Sequence, residues 1–190
     1  AAILEAPFFD PAADDAANYG SIGAVIGHEV SHGFDNLGSE FDAEGRLRNW
    51  WTPEDAAHFK AATDKLVAQY DAYEALPGLH LSGKQTLGEN IADVAGLQAA
   101  YTAYHKSLGG KEAPVIDGMT GDERFFLAFA QAWRAKQRDA ALRAQVVGDG
   151  HAPARWRALT VRNIDAWYET FKVAEGETLY LKPQDRVRIW

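Results

Sequence analysis

The chain has 190 residues, a formal net charge of −8 and no cysteine. The negative charge argues against nucleic acid and anionic membrane as partners, because both repel an acidic surface. The lack of cysteine excludes disulfides and thiolate metal ligands, and it is compatible with both the cytoplasm and the cell envelope. No apolar run approaches the ~20 residues that would cross a bilayer, so the sequence predicts no membrane contact from this segment.

The length predicts one domain, residues 1–190, which is large enough to bury a core. The chain begins Ala1-Ala2, its one methionine is Met119, and no secretory signal peptide is visible. A natural translation start is therefore not expected here, and we interpret the sequence as a piece of a longer protein. The signal that would direct the parent protein to a compartment then lies outside this sequence.

The first residues are predicted to be extended, with a short edge strand near residues 3–9 and then a loop. A helix should follow. Its N-cap candidates are Asp14, Asp15 and Asn18, and it should end by Gly38, because glycine is common just after a helix.

This helix contains HEVSH at residues 28–32, an H-E-x-x-H motif. Because an α-helix advances about 100° per residue, His28 and His32 lie one turn apart on one face, where both imidazoles can bind one metal ion. Glu29 lies at the edge of that face. The alternative is a pair of surface histidines that share helical spacing by chance. The opposite face is apolar and is predicted to be buried against a core; it carries Ile22, Ile26, Val30 and Gly33.

The rest of the chain is predicted to be mostly helical. Thr52 followed by Pro53 is a strong helix start, and Thr120 with Glu123 has the spacing of a capping box. The tail, residues 179–190, is predicted to be mixed and partly extended. The predicted helices are 53–73, 87–107, 122–136, 139–146, one that begins at Pro153, and one that Asn163 caps and that ends at Phe171.

A catalytic zinc site commonly has three protein ligands and one open position. A third ligand is therefore expected in addition to the two histidines. In one known pattern the third ligand is a histidine at position 38, which is Gly38 here. The other common ligand is a glutamate from a following helix, and Glu89 is the candidate. Asp93 lies one helical turn further on, where it can accept a hydrogen bond from the far ring nitrogen of a ligating histidine.

These motifs resemble the C-terminal part of the neprilysin family of zinc metallopeptidases, which are thermolysin-like gluzincins. ENIAD at residues 89–93 makes the resemblance specific, because it supplies the expected third ligand. The resemblance implies a mainly α fold, the helical C-terminal part of a thermolysin-like domain, with a short extended N-terminal segment and little sheet. The matching pieces are Asn18-Tyr19-Gly20, VIGHEVSHGFDN at 25–36, NWWT at 49–52, TLGENIAD at 86–93, Gly96-Leu97, FAQAW at 129–133 and the terminal Trp190.

The resemblance also implies a role for each residue of the site. His28, His32 and Glu89 would bind one Zn²⁺ ion. Asp93 would orient the first histidine. Glu29 would act as the general base, which takes a proton from the attacking water and later passes it to the leaving amine.

Two residues nearer the C-terminus match further positions of the family pattern. His151 precedes Pro153 in an H-x-P context, and Arg157 lies six residues after the histidine. The resemblance implies that His151 stabilises the oxyanion and that Arg157 holds a backbone carbonyl of a peptide substrate. The ordinary alternatives are a loop histidine and a surface arginine.

The family has further parts upstream: an edge strand that pairs with peptide substrates, and a large lobe that encloses the active site. Neither is in this sequence, so the expected partners are a peptide substrate and the missing N-terminal part of the same protein. One open function is a zinc metalloendopeptidase domain that cleaves oligopeptides on the amino side of apolar residues. The other is a catalytically incomplete zinc-binding fragment that acts only as a structural or interaction module. The resemblance favours an exported, cell-envelope location, with the cytoplasm as the alternative.

Overall fold

The computed structural model describes residues 2–189, and within them it has eight α-helices and one small hairpin. The strands β1 (Glu74–Leu76) and β2 (Leu79–His80) pair antiparallel. The predicted fold class, mainly α with little sheet, is confirmed. No helix in this range is long and apolar enough to cross a membrane. The α-helices are α1 (Asp15–Asn18), α2 (Ala24–Ser31), α3 (Pro53–Asp71), α4 (Leu87–Ser107), α5 (Gly121–Ala132), α6 (Asp139–Gly148), α7 (Ala154–Ala158) and α8 (Asp165–Phe171).

The motif helix is a continuous run that starts before α2. Asp14 caps α1 by accepting a hydrogen bond from a backbone N–H of its first turn, as predicted. A π-helical stretch, Tyr19–Gly23, joins α1 to α2, and a 3-10 turn, His32–Phe34, ends the run. His28 therefore lies within α2, whereas His32 begins the turn that follows it.

The edge strand predicted near residues 3–9 is wrong. This segment forms turns, in which the backbone N–H groups of Phe8 and Phe9 both donate to the carbonyl oxygen of Glu5. A strand needs a neighbouring strand to satisfy its backbone groups, and the segment has none within the described chain. Its backbone polar groups are satisfied locally instead.

Helices α2 and α4 pack with their backbones in contact. A Cβ built on Gly27 would lie 2.5 Å from the carbonyl oxygen of Gly96, and a Cβ on Gly96 would lie 2.3 Å from the backbone nitrogen of His28. Only glycine permits this approach. It places His28 beside the first two turns of α4, which carry Glu89 and Asp93.

The apolar stripe of the motif helix is not buried as predicted. Ile22 is buried, but Ile26 and Val30 are 57% and 66% exposed. The buried side chains of α2 are those of Ala24, His28 and Ser31. The backbone of α4 lies too close to α2 for branched side chains to fit between the two helices. The small residues of α2 therefore face α4, and its large residues point outwards.

Two clusters of buried side chains hold the other helices around α4. The first cluster joins α4 to α5 and α8, and its members include Leu97, Tyr104, Phe125, Phe126 and Trp167. The second joins α4 to α3, α7 and the tail, and its members include Leu66, Ile91, Trp156, Val187 and Ile189. Helix α4 is thus the central element, because it contributes side chains to both clusters.

Capping residues in the sequence predicted the starts of two helices correctly. Thr52 caps α3, and Thr120 with Glu123 forms the predicted capping box of α5. Helix α5 ends at Ala132, four residues before the predicted end at 136. The residues beyond Trp133 are mostly polar and offer no apolar side chain to bury, so packing does not extend the helix there.

Asn163 does not cap the last helix, contrary to the prediction. The N-cap position of α8 is Ile164, which makes no side-chain capping bond. The Asn163 amide exchanges hydrogen bonds with Gln69 and accepts one from the backbone N–H of Val187, so it ties the tail to α3. A 3-10 turn, Pro183–Asp185, lies in the tail, which is otherwise irregular. The matched terminal residue Trp190 and residue Ala1 lie outside the described part.

Candidate metal centre

Three side chains from two elements converge on one point. The Nε2 atoms of His28 and His32 lie 3.1 Å apart. The Glu89 carboxylate lies beside both, with Oε2 3.1 Å from His28 Nε2 and Oε1 3.8 Å from His32 Nε2. One ligand atom of each residue lies within 4.8 Å of the others. The fold thus brings together the three residues predicted as metal ligands.

The spacing of these atoms fits a tetrahedral zinc site. Zn–N bonds of about 2.0–2.1 Å place tetrahedral ligand atoms about 3.3 Å apart, close to the observed distances. In both histidines Nδ1 is hydrogen-bonded to a carboxylate. Both Nε2 atoms can therefore direct a lone pair towards the point between the three ligands. The Oε2 atom of Glu89 is buried and makes no properly aligned hydrogen bond within residues 2–189. Lone pairs that face one another repel unless a cation lies between them, so this donor set suits a divalent metal.

The Asp93 carboxylate holds the His28 ring. Its Oδ1 lies 2.8 Å from His28 Nδ1. Arg157 donates two hydrogen bonds to the same carboxylate, from Nε to Oδ2 over 2.9 Å and from Nη2 to Oδ1 over 2.7 Å. The guanidinium also lies over the ring of Trp133, with Cζ 4.1 Å from the ring centroid. Arg157 is therefore engaged with Asp93, and its side chain is only 13% exposed.

Electrostatics around the ligands favour a bound cation. Burial would raise the pKa of Asp93, but hydrogen bonds from Arg157 and His28 outweigh burial and lower it, so this carboxylate stays ionised at neutral pH. Burial lowers the pKa of His28, whereas Asp93 and Glu89 raise it, and the balance puts the pKa at about 9. The two carboxylates thus favour a positive charge at this point, which a proton or a metal ion can supply.

His32 has a carboxylate partner that the sequence analysis missed. Asp35 Oδ2 lies 2.7 Å from His32 Nδ1, and Asp35 is buried. Its other oxygen accepts hydrogen bonds from the backbone N–H groups of Leu37 and Gly38. A signal for this contact was present in the sequence, since an aspartate three residues after a ligating histidine can fold back onto its ring at the end of a helix.

His151 lies at the edge of the site on a loop before α7. Asp149 Oδ1 accepts a hydrogen bond from the His151 backbone N–H over 2.8 Å and lies 2.9 Å from its Nδ1. The other ring nitrogen, Nε2, lies 3.1 Å from Glu89 Oε2. The Gln85 side chain donates to the Asp149 carbonyl oxygen and so ties this loop to the start of α4.

A cavity of about 250 Å³ opens beside the ligands. Glu29 lines it, is exposed, and has no hydrogen-bond or ion-pair partner within residues 2–189. The polar side chains that line the cavity include His28, Glu29, Asp93, His151 and Arg157. The apolar side chains that line it include Ile3, Phe8, Val25, Phe129 and Trp133. The predicted catalytic and substrate-binding side chains therefore surround one space.

Comparison with known proteins identifies the family. A model of peptidase family M13 matches residues 1–187. The chain belongs to this family. Its curated relatives include "Neutral endopeptidase" of Lactobacillus helveticus, 42% identical over 191 residues, a match that covers 100% of this chain and 28% of the relative. "Neprilysin-3" of Drosophila melanogaster is 34% identical over 195 residues, with 100% of this chain and 24% of the relative covered. The resemblance to the neprilysin family is thereby confirmed.

A solved zinc metalloprotease structure has the same fold. The zinc metalloprotease Zmp1 of Mycobacterium tuberculosis, crystallised with an inhibitor, superposes on this chain with a TM-score of 0.95 at 50% identity. The match covers 100% of this chain and 30% of that chain. This M13 chain therefore spans less than a third of the length of the relatives named here.

Proposed function

We propose that this chain is the zinc-binding catalytic part of an M13 metalloendopeptidase, which holds one Zn²⁺ through His28, His32 and Glu89 and hydrolyses peptide bonds in oligopeptides. The observation that carries the proposal is the convergence of the three ligand atoms within 4.8 Å. Each imidazole is oriented by a buried carboxylate, from Asp93 or Asp35. Two oriented imidazoles and one glutamate are the donor set of catalytic zinc sites that keep one position open.

The residues around the ligands suit hydrolysis. Bound zinc supplies Lewis acidity for the peptide carbonyl and makes the attacking water more acidic. Within residues 2–189 Glu29 has no competing partner, and it would take a proton from that water and pass it to the leaving amine. His151 would present Nε2 to the carbonyl oxygen as this oxygen becomes negative. Arg157 would act mainly by holding Asp93, and its Nη1, which has no hydrogen bond within residues 2–189, would be the donor left for a substrate carbonyl.

The cavity supports a preference for apolar substrate residues. Its volume of about 250 Å³ suits a single side chain, and part of its lining is aromatic and aliphatic. A peptide whose scissile carbonyl lies at the metal would place the next side chain in this space. We therefore propose cleavage on the amino side of apolar residues.

The test combines zinc titration with cleavage of a fluorescence-quenched peptide that contains one apolar residue after the scissile bond. The unchanged chain should bind one zinc ion and cleave the peptide. Glu29→Gln should keep the zinc and lose activity by about a hundredfold or more, because it removes the general base and no ligand. His32→Ala should lose the zinc, whereas His58→Ala, at an exposed histidine of α3, should keep both zinc and activity.

The outcomes separate the two functions left open by the sequence. Zinc binding with turnover that Glu29→Gln abolishes supports the peptidase. Zinc binding without turnover supports the alternative, a zinc-binding fragment that acts only as a structural or interaction module. Failure of the unchanged chain to bind zinc would overturn the metal site and both functions with it.

A further inference from the structure

The loop between α6 and α7 carries His151 and is anchored on both sides. Val146 in the last turn of α6 and Ala152 after the loop are both buried. Between these anchors a Cβ built on Gly148 or Gly150 would meet no atom within 4 Å, so the backbone there has open space around it. The His151 side chain is itself 47% exposed. Packing therefore holds the ends of the loop but leaves the imidazole to be positioned by hydrogen bonds.

The loop backbone is hydrogen-bonded to the segment that enters α4. Gln85 Nε2 donates to the Asp149 carbonyl oxygen over 2.5 Å, and the two residues are 64 positions apart in sequence. The Asp149 side chain continues the path, since its Oδ1 accepts from the His151 backbone N–H and lies 2.9 Å from His151 Nδ1. Gln85 is therefore connected to the imidazole through one intervening residue.

The path returns to the element from which it starts. His151 Nε2 lies 3.1 Å from Glu89 Oε2, and Glu89 is in the first turn of α4, four residues after Gln85. The contacts from Gln85 through Asp149 and His151 to Glu89 thus form a closed ring, which begins and ends within residues 85–89. In such a ring the hydrogen bond from Gln85 helps to set the distance between the imidazole and the metal ligand.

We infer that Gln85 is a positioning residue, which holds the loop so that His151 Nε2 faces the metal ligands. The inference rests on the role proposed above for His151. A group that stabilises an oxyanion is most effective when it is in place before the charge develops, because it then needs no reorganisation during the reaction. A misplacement of about 1 Å can lower a rate about a hundredfold. Without the bond from Gln85, the two loop glycines would allow such a shift.

The first test measures the order of the loop backbone in the metal-free chain, so it requires neither zinc nor turnover. Order parameters of the Gly150 and His151 amides are obtained from ¹⁵N relaxation, and in the unchanged chain we expect values of about 0.8, as in rigid backbone. Gln85→Ala should lower them to about 0.6 or less, as in flexible backbone. Gln85→Glu should give the same loss, because it keeps the length of the side chain but has no N–H to donate.

Gln137→Ala is the matched control for the loop measurement. Gln137 also donates a hydrogen bond from an exposed side-chain amide, over 2.7 Å, but its acceptor is Gln145 Oε1 in α6 and not the loop. Loss of this bond should leave the order parameters of the loop unchanged. Unchanged order parameters in both Gln85 variants would overturn the inference, as would an equal decrease in Gln137→Ala.

The second test asks whether Gln85 acts through His151 during peptide cleavage. Gln85→Ala should lower kcat about tenfold and leave KM and zinc affinity unchanged, because it removes a support that matters in the transition state. In a chain that carries His151→Ala, the same change should have no further effect, since the group that Gln85 positions is gone. An equal loss in both backgrounds would overturn the inference. If the unchanged chain bound zinc but cleaved no peptide, the proposed function would fail, and the order parameters would still decide the inference.

Discussion

Two histidine rings of the candidate site each contact a buried carboxylate, but the two carboxylates differ in their other partners. Asp93 is shared between His28 and the Arg157 guanidinium. Asp35 is shared between His32 and the backbone of the turn that follows. Loss of either carboxylate removes the support of one ring, but the further consequences are different and can be measured separately.

Asp93→Ala is expected to weaken zinc binding about ten- to hundredfold, because the His28 ring loses the acceptor that fixes its tautomer and orientation. It should also lower the free energy of unfolding, because Arg157 is left buried without its counter-charge. Adding Arg157→Met should recover stability without recovering zinc affinity. Zinc competition with a chelator and urea unfolding measure the two effects. An unchanged zinc affinity would remove Asp93 from the role proposed for it.

Asp35→Ala is expected to weaken zinc binding by about tenfold or more, since His32 loses its ring partner. The change also removes a turn in which the carboxylate accepts backbone hydrogen bonds. Asp42→Ala is the control, because Asp42 accepts similar bonds from the backbone N–H groups of Glu44 and Arg46 but contacts no histidine. Chelator competition should show a loss for Asp35→Ala only. Equal zinc affinity in both variants would mean that Asp35 has a purely local role.

At the scale of helices, the site depends on how closely α2 approaches α4. Gly27→Ala puts a Cβ against the Gly96 carbonyl oxygen, so the helices must separate and His28 must move away from Glu89. We expect a loss of about 1–3 kcal/mol in the free energy of unfolding, as for other overpacked contacts, and weaker zinc binding. Urea unfolding and zinc titration measure both effects.

Gly33→Ala is the matched control for the helix contact. It lies next to His32 in the same run, but a Cβ there would meet no atom within 4 Å and the backbone φ is not positive. Its effect on stability should be within about 0.5 kcal/mol, and its zinc affinity should be unchanged. If Gly33→Ala and Gly27→Ala weakened zinc binding equally, close packing of the two helices would not explain the position of the ligands.

The sequence predicted several helices and their ends, but it did not predict how α2 packs against α4. Helix α4 was predicted with its observed ends, and Thr52 and Thr120 marked helix starts through local capping chemistry. The buried side of α2 was mispredicted because large apolar residues were assumed to form the contact, whereas two glycines form it. Whether small or large side chains face a neighbouring helix depends on the distance between the two helices. A local sequence pattern does not contain this distance.

Some residues of the candidate site were likewise predicted from the sequence, and others were not. The three candidate ligands and Asp93 were predicted from motifs whose spacing has a direct chemical meaning. Asp35 was missed because its role depends on a turn at the end of the motif helix. The engagement of Arg157 with Asp93, and its position over Trp133, join elements far apart in sequence. Such contacts follow from tertiary packing, so the resemblance alone assigned Arg157 to a substrate.

At the scale of the whole molecule, the C-terminal tail completes the core. Val187 and Ile189 are each 2% exposed. Arg186 precedes Val187 and donates a hydrogen bond to Asp165 at the start of α8 over 2.8 Å. Arg188 lies between Val187 and Ile189 and donates to the other oxygen of the same carboxylate. Arg186 also lies over the ring of Tyr168, 3.5 Å from its centroid. The tail is therefore fixed to α8 by charge and to α3 and α4 by apolar burial.

This arrangement predicts a specific dependence of stability on pH. Burial would raise the pKa of Asp165, but hydrogen bonds from Arg186 and Arg188 outweigh it and hold the folded-state pKa below the ordinary value of 3.8. The unfolded chain then binds the proton more readily, so the stabilisation is complete above about pH 4 and is lost as the pH falls through the folded-state pKa. Asp165→Asn should therefore lower the free energy of unfolding at pH 7 by about 0.5–1 kcal/mol, a modest value because the side chain is 39% exposed.

The difference between the unchanged chain and Asp165→Asn should be smaller at pH 2 than at pH 7, because the carboxylate takes up a proton as the pH falls. Urea unfolding of the metal-free protein at both pH values measures it without a contribution from zinc. Asp64→Asn is the control: Asp64 pairs with Lys60 across one turn of α3 and is 64% exposed, so its loss should cost at most a few tenths of a kcal/mol at pH 7. If Asp165→Asn cost as much at pH 2 as at pH 7, the Asp165 carboxylate would stabilise the tail through its shape and hydrogen bonds and not through its charge.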